Sequence, residues 1–406
     1  MIKANVNRRL FLQLLAAAAL VPESRAAEGL RVVVAGAGII GASIAWHLAR
    51  MGASVTVIDR QGPASHASRA SFAWINATWS KQPKSYHALN QAGVARWNLL
   101  QQELGVPIHW GGSLEGVADA GREREVAAHV AEQVAWGEQT KIVETAELAR
   151  LEPMVNFTSL SQVIYSANDG ATNPIAATHA FLEAAKKLGA KVLYPCELKG
   201  VSLRDGRVTS VATSGGDLPA DRLVLATGAA ADAARRFADW ELPQRDSPGA
   251  TAVTAPMPRL VNRVLWMPGV HLHQRDDGRI VLGEEDGPPP THADRLAGHP
   301  HDFPTRDIAL EHANRMLVMA QRYVPDLKNV MFEDIVIGWR PMPVDGYPVL
   351  GASPARKDVY LAIMHSGVTL APIIGKLTAH EMTESALAEP FSDFRPNRHF
   401  VASTGH

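Results

Sequence analysis

Three glycines near the N-terminal end of the chain have the spacing of a phosphate-binding turn. Gly36, Gly38 and Gly41 form a GxGxxG pattern directly after the apolar residues 32–35, which predict a buried strand. A helical pattern and a second strand follow, and the strand ends at Asp59, at about the 20-residue distance typical of a ribose-binding carboxylate. In this context the pattern predicts a dinucleotide site, because the glycines allow a tight turn, close approach of a pyrophosphate and close helix packing. A glycine turn that only packs a helix against a strand is the alternative.

One arginine has the surroundings of a carboxylate-binding residue. Arg340 lies between Trp339 and Pro341, directly after an apolar strand pattern at 335–337. A guanidinium pairs with both oxygens of a carboxylate in one plane, which an ammonium does not do. A structural or surface ion pair is the alternative interpretation.

Three histidines are candidates for a substrate pocket. His271 and His273 alternate along a predicted strand, so their side chains share one face. A half-exposed polar strand face explains this pair equally well, and a packed polar residue in a tight loop explains His365. The choice between a pocket wall and ordinary core packing also applies to Trp74, Asn76 and Trp79.

Composition excludes several classes of protein. The 406 residues suffice for two domains, and the formal net charge of −1 predicts no binding to nucleic acid. Cys196 is the only cysteine, which excludes an internal disulfide and a multi-cysteine metal centre. The histidines form no helix-borne ligand pair, so the sequence predicts no metal site.

Residues 1–27 differ from the rest of the chain. Arg8 and Arg9 precede an apolar run that ends near Val21 and is too short to span a bilayer comfortably. The segment resembles a bacterial twin-arginine signal, which predicts export of the folded protein to the periplasm. An uncleaved tail or a membrane anchor is the alternative, and no other stretch predicts a transmembrane span.

The remaining patterns predict a mixture of strands and helices. We expect a charged helical region over 122–152, one strand over 191–201 and an irregular loop over 284–306. Further helices are predicted over 85–104, 175–188 and 306–322, and a last one that ends at about Ala388.

Taken in order, these segments resemble the D-amino-acid oxidase/dehydrogenase superfamily of FAD-dependent enzymes, whose members oxidise glycine, sarcosine and D-amino acids. The resemblance covers nearly all of residues 30–390. It is carried by GAGIIG with Asp59, Ser68-Arg69-Ala70-Ser71, KVLYPCELKGV at 191–201, LATGAA at 225–230, Trp339-Arg340-Pro341 with Asp345-Gly346-Tyr347-Pro348, and Gly367-x-Thr369-Leu370-Ala371-Pro372.

The resemblance implies an α/β protein with a Rossmann-like FAD-binding domain built from discontinuous segments and a sheet-rich α+β substrate domain. The FAD-binding domain is expected at 28–105, 155–250 and 335–390, and the substrate domain at 106–154 and 251–334.

The resemblance also implies site residues. Arg340 is expected to bind the substrate carboxylate, with His273 and His365 as further catalytic candidates. FAD is expected to bind without a covalent bond, because Cys196 lies in the segment on the adenine side. The residues assigned to the cofactor are Gly36, Gly38, Ile39, Ile40, Gly41, Asp59, Arg60, Ser68, Ala70, Ser71, Leu198, Thr227, Gly228, Arg340, Gly367, Val368, Thr369 and Leu370.

The implied reaction is oxidation of the Cα–N bond of a small amino acid or N-alkyl amino acid, with hydride transfer to flavin N5 and an imino acid as product. A 2-hydroxy-acid-oxidising flavoprotein and a non-catalytic flavin-binding subunit of an exported redox complex are the alternatives. The electron acceptor stays open among oxygen, a quinone and a redox protein.

The export hypothesis makes a direct prediction. Replacing both Arg8 and Arg9 by lysine keeps the charge of the segment and removes the arginine pair, so export of the folded protein is expected to stop. Cell fractionation of the wild type and the double variant measures this. Unchanged export, or cytoplasmic protein in both cases, would contradict the hypothesis.

Overall fold

The structure is a computed structural model that describes residues 28–78, 81–284, 296, 298–384 and 387–402. The predicted signal at 1–27, Trp79 and most of the predicted loop at 284–306 lie outside the described residues. Strands and helices are numbered along the chain.

A mostly parallel sheet forms the first layer and carries the glycine turn. Its strand order is β21–β22–β13–β1–β2–β9, and β21 alone runs antiparallel, against β22. Helix α1 (Ile39–Arg50) connects β1 to β2, as the sequence predicts for a strand–helix–strand unit. The strands are β1 (Arg31–Ala35), β2 (Ser54–Ile58), β9 (Lys191–Leu193), β13 (Arg222–Leu225), β21 (Val349–Ala352) and β22 (Val359–Ile363).

A large, mainly antiparallel sheet forms a second unit, in the order β19–β15–β18–β17–β16–β5–β7–β6. Only the pairing between β16 and β5 is parallel among the described strands of this sheet. The strands are β5 (Ser113–Val117), β6 (Thr140–Ile142), β7 (Gln162–Ser166), β15 (Pro248–Thr254), β16 (Val264–Met267), β17 (Val270–Gln274), β18 (Ile280–Glu284) and β19 (Phe332–Trp339).

Three smaller sheets join these layers. They are the meander of β10 (Leu198–Arg204), β11 (Arg207–Thr213) and β12 (Gly216–Pro219), the sheet of β3 (Trp74–Ile75), β8 (Gly170–Thr172) and β4 (Ile108–Trp110), and the pair of β14 (Gln244–Arg245) with β20 (Met342–Pro343). The architecture is therefore α/β with a Rossmann-like parallel sheet, as expected. The domain limits remain a prediction, and β7, from a segment predicted for the FAD-binding domain, lies in the large antiparallel sheet.

The other helices are α2 (Lys84–Leu104), α3 (Glu123–Ala135), α4 (Thr145–Leu151), α5 (Pro174–Lys187), α6 (Asp232–Ala238), α7 (Arg306–Gln321) and α8 (Gly367–Glu384), with 3-10 turns at Ala120–Arg122 and Glu389–Phe394. Helix α8 packs against α1 and α2 beside the parallel sheet. A Cβ at Gly93 in α2 would overlap the carbonyl oxygen of Thr369, so the first turn of α8 lies directly against α2. Trp97 Nε1 donates to Val368 O at 2.8 Å and fixes the same contact.

Two predicted elements are wrong. The region 122–152 is interrupted by β6, because α3 stops before Gly137, which has a positive φ of 100°, and the chain then pairs with β7. The predicted strand at 191–201 is two strands in different sheets, separated by a bend at 194–197. Pro195 lies in that bend and has no N–H for a ladder hydrogen bond. The last predicted helix is α8, which is described as far as Glu384.

In the described part of the chain, no helix is long and apolar enough to cross a membrane.

Candidate functional site

A cavity of about 1380 Å³ extends from the glycine turn to the start of α8. Residues of both large sheets contribute to its wall, including Ala35 and Ile58 from the parallel sheet and Ala250, His271 and Gly338 from the antiparallel sheet. Because the cavity contacts both units, a ligand bound at the glycine turn can reach groups held by the antiparallel sheet.

The glycine turn forms one end of this cavity. Gly36 has a φ of 112°, and a Cβ there would overlap Ala226 O at the end of β13, so only glycine fits. Gly38, Ile39 and Ile40 line the cavity. Gly41 does not, because it packs against the carbonyl of Gly36, which is the helix-packing role predicted for the third glycine.

Asp59 organises the same end of the cavity through backbone amides. Its Oδ2 accepts from Ala37 N at 2.9 Å, and its Oδ1 accepts from Gln61 N and Gly62 N, each at 2.9 Å. A carboxylate offers about four acceptor positions, so one remains for the predicted ribose hydroxyl. Arg60 also lines the cavity, and its Nη2 lies 3.3 Å from His66 Nε2.

Two other predicted segments complete the dinucleotide end. Leu198 lines the cavity, and so does Cys196, which lies in the bend before β10 and not in a strand. Thr227 and Gly228 line it at the end of β13. The buried Thr227 Oγ1 has no hydrogen-bond partner among the described residues, although buried polar atoms are normally paired. This orphaned hydroxyl beside a phosphate-binding turn indicates a ligand with hydrogen-bonding atoms.

The loop after β2 forms the next part of the wall. Ser68, Ala70 and Ser71 all line the cavity, and Ser68 Oγ accepts from Ile39 N at 3.0 Å, which satisfies an amide at the start of α1. Ala70 O accepts from Thr251 Oγ1 at 2.7 Å, which joins this loop to β15. The side chains of these wall residues are small, and their contact with a planar ring stays a prediction.

The start of α8 faces this loop. Gly367, Val368 and Thr369 line the cavity, whereas Leu370 lies in the core and does not. The Thr369 hydroxyl accepts from Asn76 N and donates to Trp74 O, both at 3.2 Å. The side chain of Thr369 therefore holds the loop at 74–76 against α8.

Arg340 lines the cavity next to the large sheet. Its Nη1 donates to Pro248 O at 3.0 Å and approaches Ser247 Oγ at 3.4 Å. Among the described residues, no carboxylate lies within 4 Å of its guanidinium, because the nearby Glu284 pairs with Arg315. Burial lowers the pKa of Arg340 from its ordinary value, and the charge of Glu284 acts in the opposite direction. An arginine stays charged in proteins, so this partly buried cation is available to an anionic ligand.

The two strand histidines occupy different positions. Both contact the ring of Phe72, with centroids 4.3 Å away for His271 and 4.9 Å for His273. Only His271 lines the cavity, where its ring stacks on Trp266. His273 Nε2 lies 2.9 Å from Phe72 O, away from the cavity, so the placement of His273 does not support a catalytic role. Burial lowers the pKa of each ring to about 3, and both are neutral at pH 7.

The wall beside the start of α8 contains residues that the sequence analysis missed. His365 lines it as predicted, and its neighbour Ser366 has a positive φ of 58°. Ser366 Oγ accepts from Tyr86 OH at 3.1 Å and from Lys81 Nζ at 3.3 Å. Lys81 belongs to a polar run in the sequence, where a lysine normally indicates a solvated surface, so no local signal identifies it.

Behind this wall lies a buried carboxylate. Asp169 Oδ2 accepts from Trp74 Nε1, Thr78 Oγ1 and Ser113 Oγ at 3.1, 3.0 and 2.6 Å. Burial raises the pKa of Asp169 to about 7, against the effect of these donors. In the described part of the chain, no group of His, Cys, Asp and Glu side chains has the arrangement of a metal site.

Known proteins share both the fold and the sequence pattern. The solved glycine oxidase from Geobacillus kaustophilus superposes with a TM-score of 0.81 at 21% identity, over 92% of this chain and 100% of that chain, which shows a common fold. Hydrogen cyanide synthase subunit HcnC from Pseudomonas aeruginosa is 27% identical over 91% of this chain and 98% of that protein. An opine oxidase subunit from Agrobacterium tumefaciens is 26% identical, over 90% of this chain and 97% of that protein.

A family-level match covers most of the chain. The DAO family, described as FAD dependent oxidoreductase, matches residues 31–381, which include the glycine turn, the loop at 68–71, Arg340 and the start of α8. The chain therefore belongs to the DAO family of FAD-dependent oxidoreductases.

Proposed function

We propose that this protein oxidises the Cα–N bond of an amino acid or N-alkyl amino acid whose carboxylate is held by Arg340. The observation that carries the proposal is the position of Arg340, a cation without a carboxylate partner among the described residues, in the cavity that begins at the glycine turn. Burying a charge is costly unless an opposite charge compensates it, so a free substrate carboxylate complements this site.

The residues present fit FAD. The dinucleotide end offers the Gly38 amide of the glycine turn, a remaining acceptor position on Asp59 and the Thr227 hydroxyl, while Ser68, Ala70 and Ser71 leave room for a ring. When bound, FAD supplies an acceptor for a hydride equivalent. The protein supplies orientation, which contributes to catalysis by holding the reacting atoms at the correct distance.

The protein side of the reaction requires few groups. Arg340 fixes the carboxylate, which sets the direction of the adjacent Cα–H bond. The amine must enter the reaction neutral, since its lone pair forms the C=N bond as the Cα–H bond breaks and one N–H proton is released to solvent. Water then hydrolyses the imine to an oxo acid and ammonia, or to an oxo acid and an amine when the substrate nitrogen carries an alkyl group. His271 is neutral and stacked, so its role is to shape the pocket and not to carry charge.

The names of the relatives support amine oxidation, since one is a glycine oxidase and another belongs to an opine oxidase. Two relatives are named as subunits, which keeps a flavin-binding subunit without activity of its own as a second candidate. Oxidation of 2-hydroxy acids is the third candidate. The proposal also includes periplasmic export, which rests on the segment at residues 8–21 alone.

Anaerobic mixing with substrates separates these candidates without knowledge of the electron acceptor. We expect amino acids to bleach the flavin absorbance of the purified protein and matched 2-hydroxy acids to leave it unchanged. Bleaching by hydroxy acids alone would favour the third candidate. No bleaching by any small molecule, with recovery after a partner protein is added, would favour the second candidate.

FAD is expected to leave the protein on acid or heat denaturation. The only cysteine, Cys196, lies beside Leu198 at the dinucleotide end, far along the chain from the loop at 68–71 that is predicted to contact the ring. Absorbance of the supernatant and the mass of the intact chain measure this. A yellow precipitate with a mass increase equal to FAD would contradict the prediction.

Replacement of Arg340 tests the proposed carboxylate site. Charge-assisted hydrogen bonds contribute about 1.5–3 kcal/mol each, so Arg340→Ala is expected to lower kcat/KM by about two orders of magnitude or more. Arg340→Lys is expected to recover only part of the loss, because an ammonium lacks the planar fork. Bound FAD is expected to stay near the wild-type content.

Arg356→Ala is the matched control. Arg356 is also partly buried and donates to a backbone carbonyl, Phe237 O at 2.9 Å, but it does not line the cavity. Near-normal kcat/KM in Arg340→Ala would refute the carboxylate role. Loss of FAD in that variant would mean that Arg340 is structural.

A further inference from the structure

A second cation faces the cavity at the end where α8 begins. Lys81 is only 9% exposed and lines the cavity together with Tyr86 and Ser366. Its Nζ donates to Ser366 Oγ at 3.3 Å and lies 5.7 Å from the centre of the Tyr86 ring. Among the described residues, no carboxylate lies within 4 Å of the Lys81 ammonium.

Charged and titratable groups reach Lys81 from several elements. Tyr86 approaches from α2, Ser366 from the loop before α8, and the Nδ1 of His365 lies 3.4 Å from the same Ser366 hydroxyl. Asp169, before β8, is the carboxylate whose charge acts on Lys81, but only across a distance greater than an ion pair. Burial lowers the pKa of Lys81 to about 8, and Asp169 opposes this effect. The ammonium is therefore mostly present at pH 7, with incomplete compensation.

The place of Lys81 in the fold also favours an anion beside it. Ser366 directly precedes α8, and the first turn of a helix carries partial positive charge. A buried ammonium at that position is repelled by the helix end, so an anion between them would stabilise both. The Ser366 backbone has a positive φ of 58°, a conformation that non-glycine residues rarely adopt and that often marks a functional position.

The carboxylates on the cavity wall already have other partners. Asp59 accepts three backbone amides, Glu284 pairs with Arg315, and Asp345 pairs with Arg398 at 2.8 Å. Arg245 also lines the cavity and is half-buried, as Arg340 is. Burial lowers the pKa of Lys81 and of Arg340, so these two cations are shielded from water, and no carboxylate of the described wall neutralises them.

Lys81 lies on the solvent side of the cavity. Its neighbour Gln82 lines the cavity and is exposed, so the cavity opens to solvent beside Lys81. A molecule that enters at this opening meets Lys81 on its way into the cavity. This placement favours an anionic group of the substrate over one of the cofactor.

From these observations we propose that the substrate carries two carboxylates, one held by Arg340 and the second by Lys81. The inference rests on the proposed amine oxidation and specifies its substrate class. The second carboxylate belongs either to the side chain of the amino acid, as in aspartate and glutamate, or to the substituent on nitrogen, as in iminodiacetate. The Lys81 ammonium binds this group and fixes the far end of the molecule.

Anaerobic flavin reduction by matched substrates tests the proposal. Glycine and sarcosine carry one carboxylate, while aspartate, glutamate and iminodiacetate carry two and distinguish the two sources. In Lys81→Met the concentration for half-maximal reduction by the preferred dicarboxylate is expected to rise about 10- to 100-fold, since one charge-assisted contact is lost. Reduction by sarcosine is expected to change less than twofold. Lys81→Arg is expected to keep the preference for dicarboxylates.

Lys84→Met is the control, because Lys84 is close in sequence and contacts the face of Trp136 outside the cavity. This variant is expected to behave as wild type with every substrate. Above pH 8 the wild type is expected to lose its preference for dicarboxylates as Lys81 deprotonates, and sarcosine oxidation is expected to lack that transition.

A binding measurement without turnover tests the proposal even when a variant does not react with any substrate. Glutarate has two carboxylates and no Cα–N bond, so it is expected to raise the Tm of the wild-type holoprotein and not that of Lys81→Met. Equal loss with mono- and dicarboxylates in Lys81→Met, or a wild type that prefers sarcosine, would overturn the proposal. Failure of the proposed function is distinct, since no amino acid would then reduce the flavin and Arg340→Ala would change nothing.

Discussion

The contact between the turn after β1 and the end of β13 determines how the site is arranged. Gly36 lies directly against Ala226 O, and no side chain fits between them. Because this turn lies against the end of β13, α1 starts at the carboxyl end of an inner strand, and Thr227 lines the same cavity. The amides of Ala37, Gln61 and Gly62 then meet on Asp59, which joins the ends of β1 and β2.

The loop that follows β2 continues the cavity wall from the glycine turn. Ser68 is tied to the start of α1, Ala70 to β15 through Thr251, and the residues after Trp74 to α8 through Thr369. Ser68 and Ala70 make one hydrogen bond each and Thr369 makes two, each worth about 1 kcal/mol on average, and together they restrict a loop that has little regular secondary structure. The loop therefore links the parallel sheet, the large sheet and α8 around one cavity.

The rest of the cavity wall is characterised by buried positive charge. The wall places cations at two positions, Arg340 beside β15 and Lys81 beside α8, and directs the neighbouring carboxylates to other partners. Such an arrangement costs stability in the absence of a ligand, and the cost is recovered when an anion binds. This arrangement supports the proposal that the wall binds anionic groups at both positions.

The sequence by itself determined the parts that depend on local chemistry. The glycine turn, Asp59 and the strand–helix–strand unit follow from spacing, since each glycine has a steric function that no other residue meets. Arg340 followed from its apolar neighbours and from the family resemblance. Only the tertiary structure decided the parts that depend on distant segments. His271 and His273 share a strand face, yet Phe72 O binds one ring while the other faces the cavity. Lys81 has no distinguishing neighbours in the sequence, and its burial arises because α2 and the start of α8 enclose it from segments far along the chain.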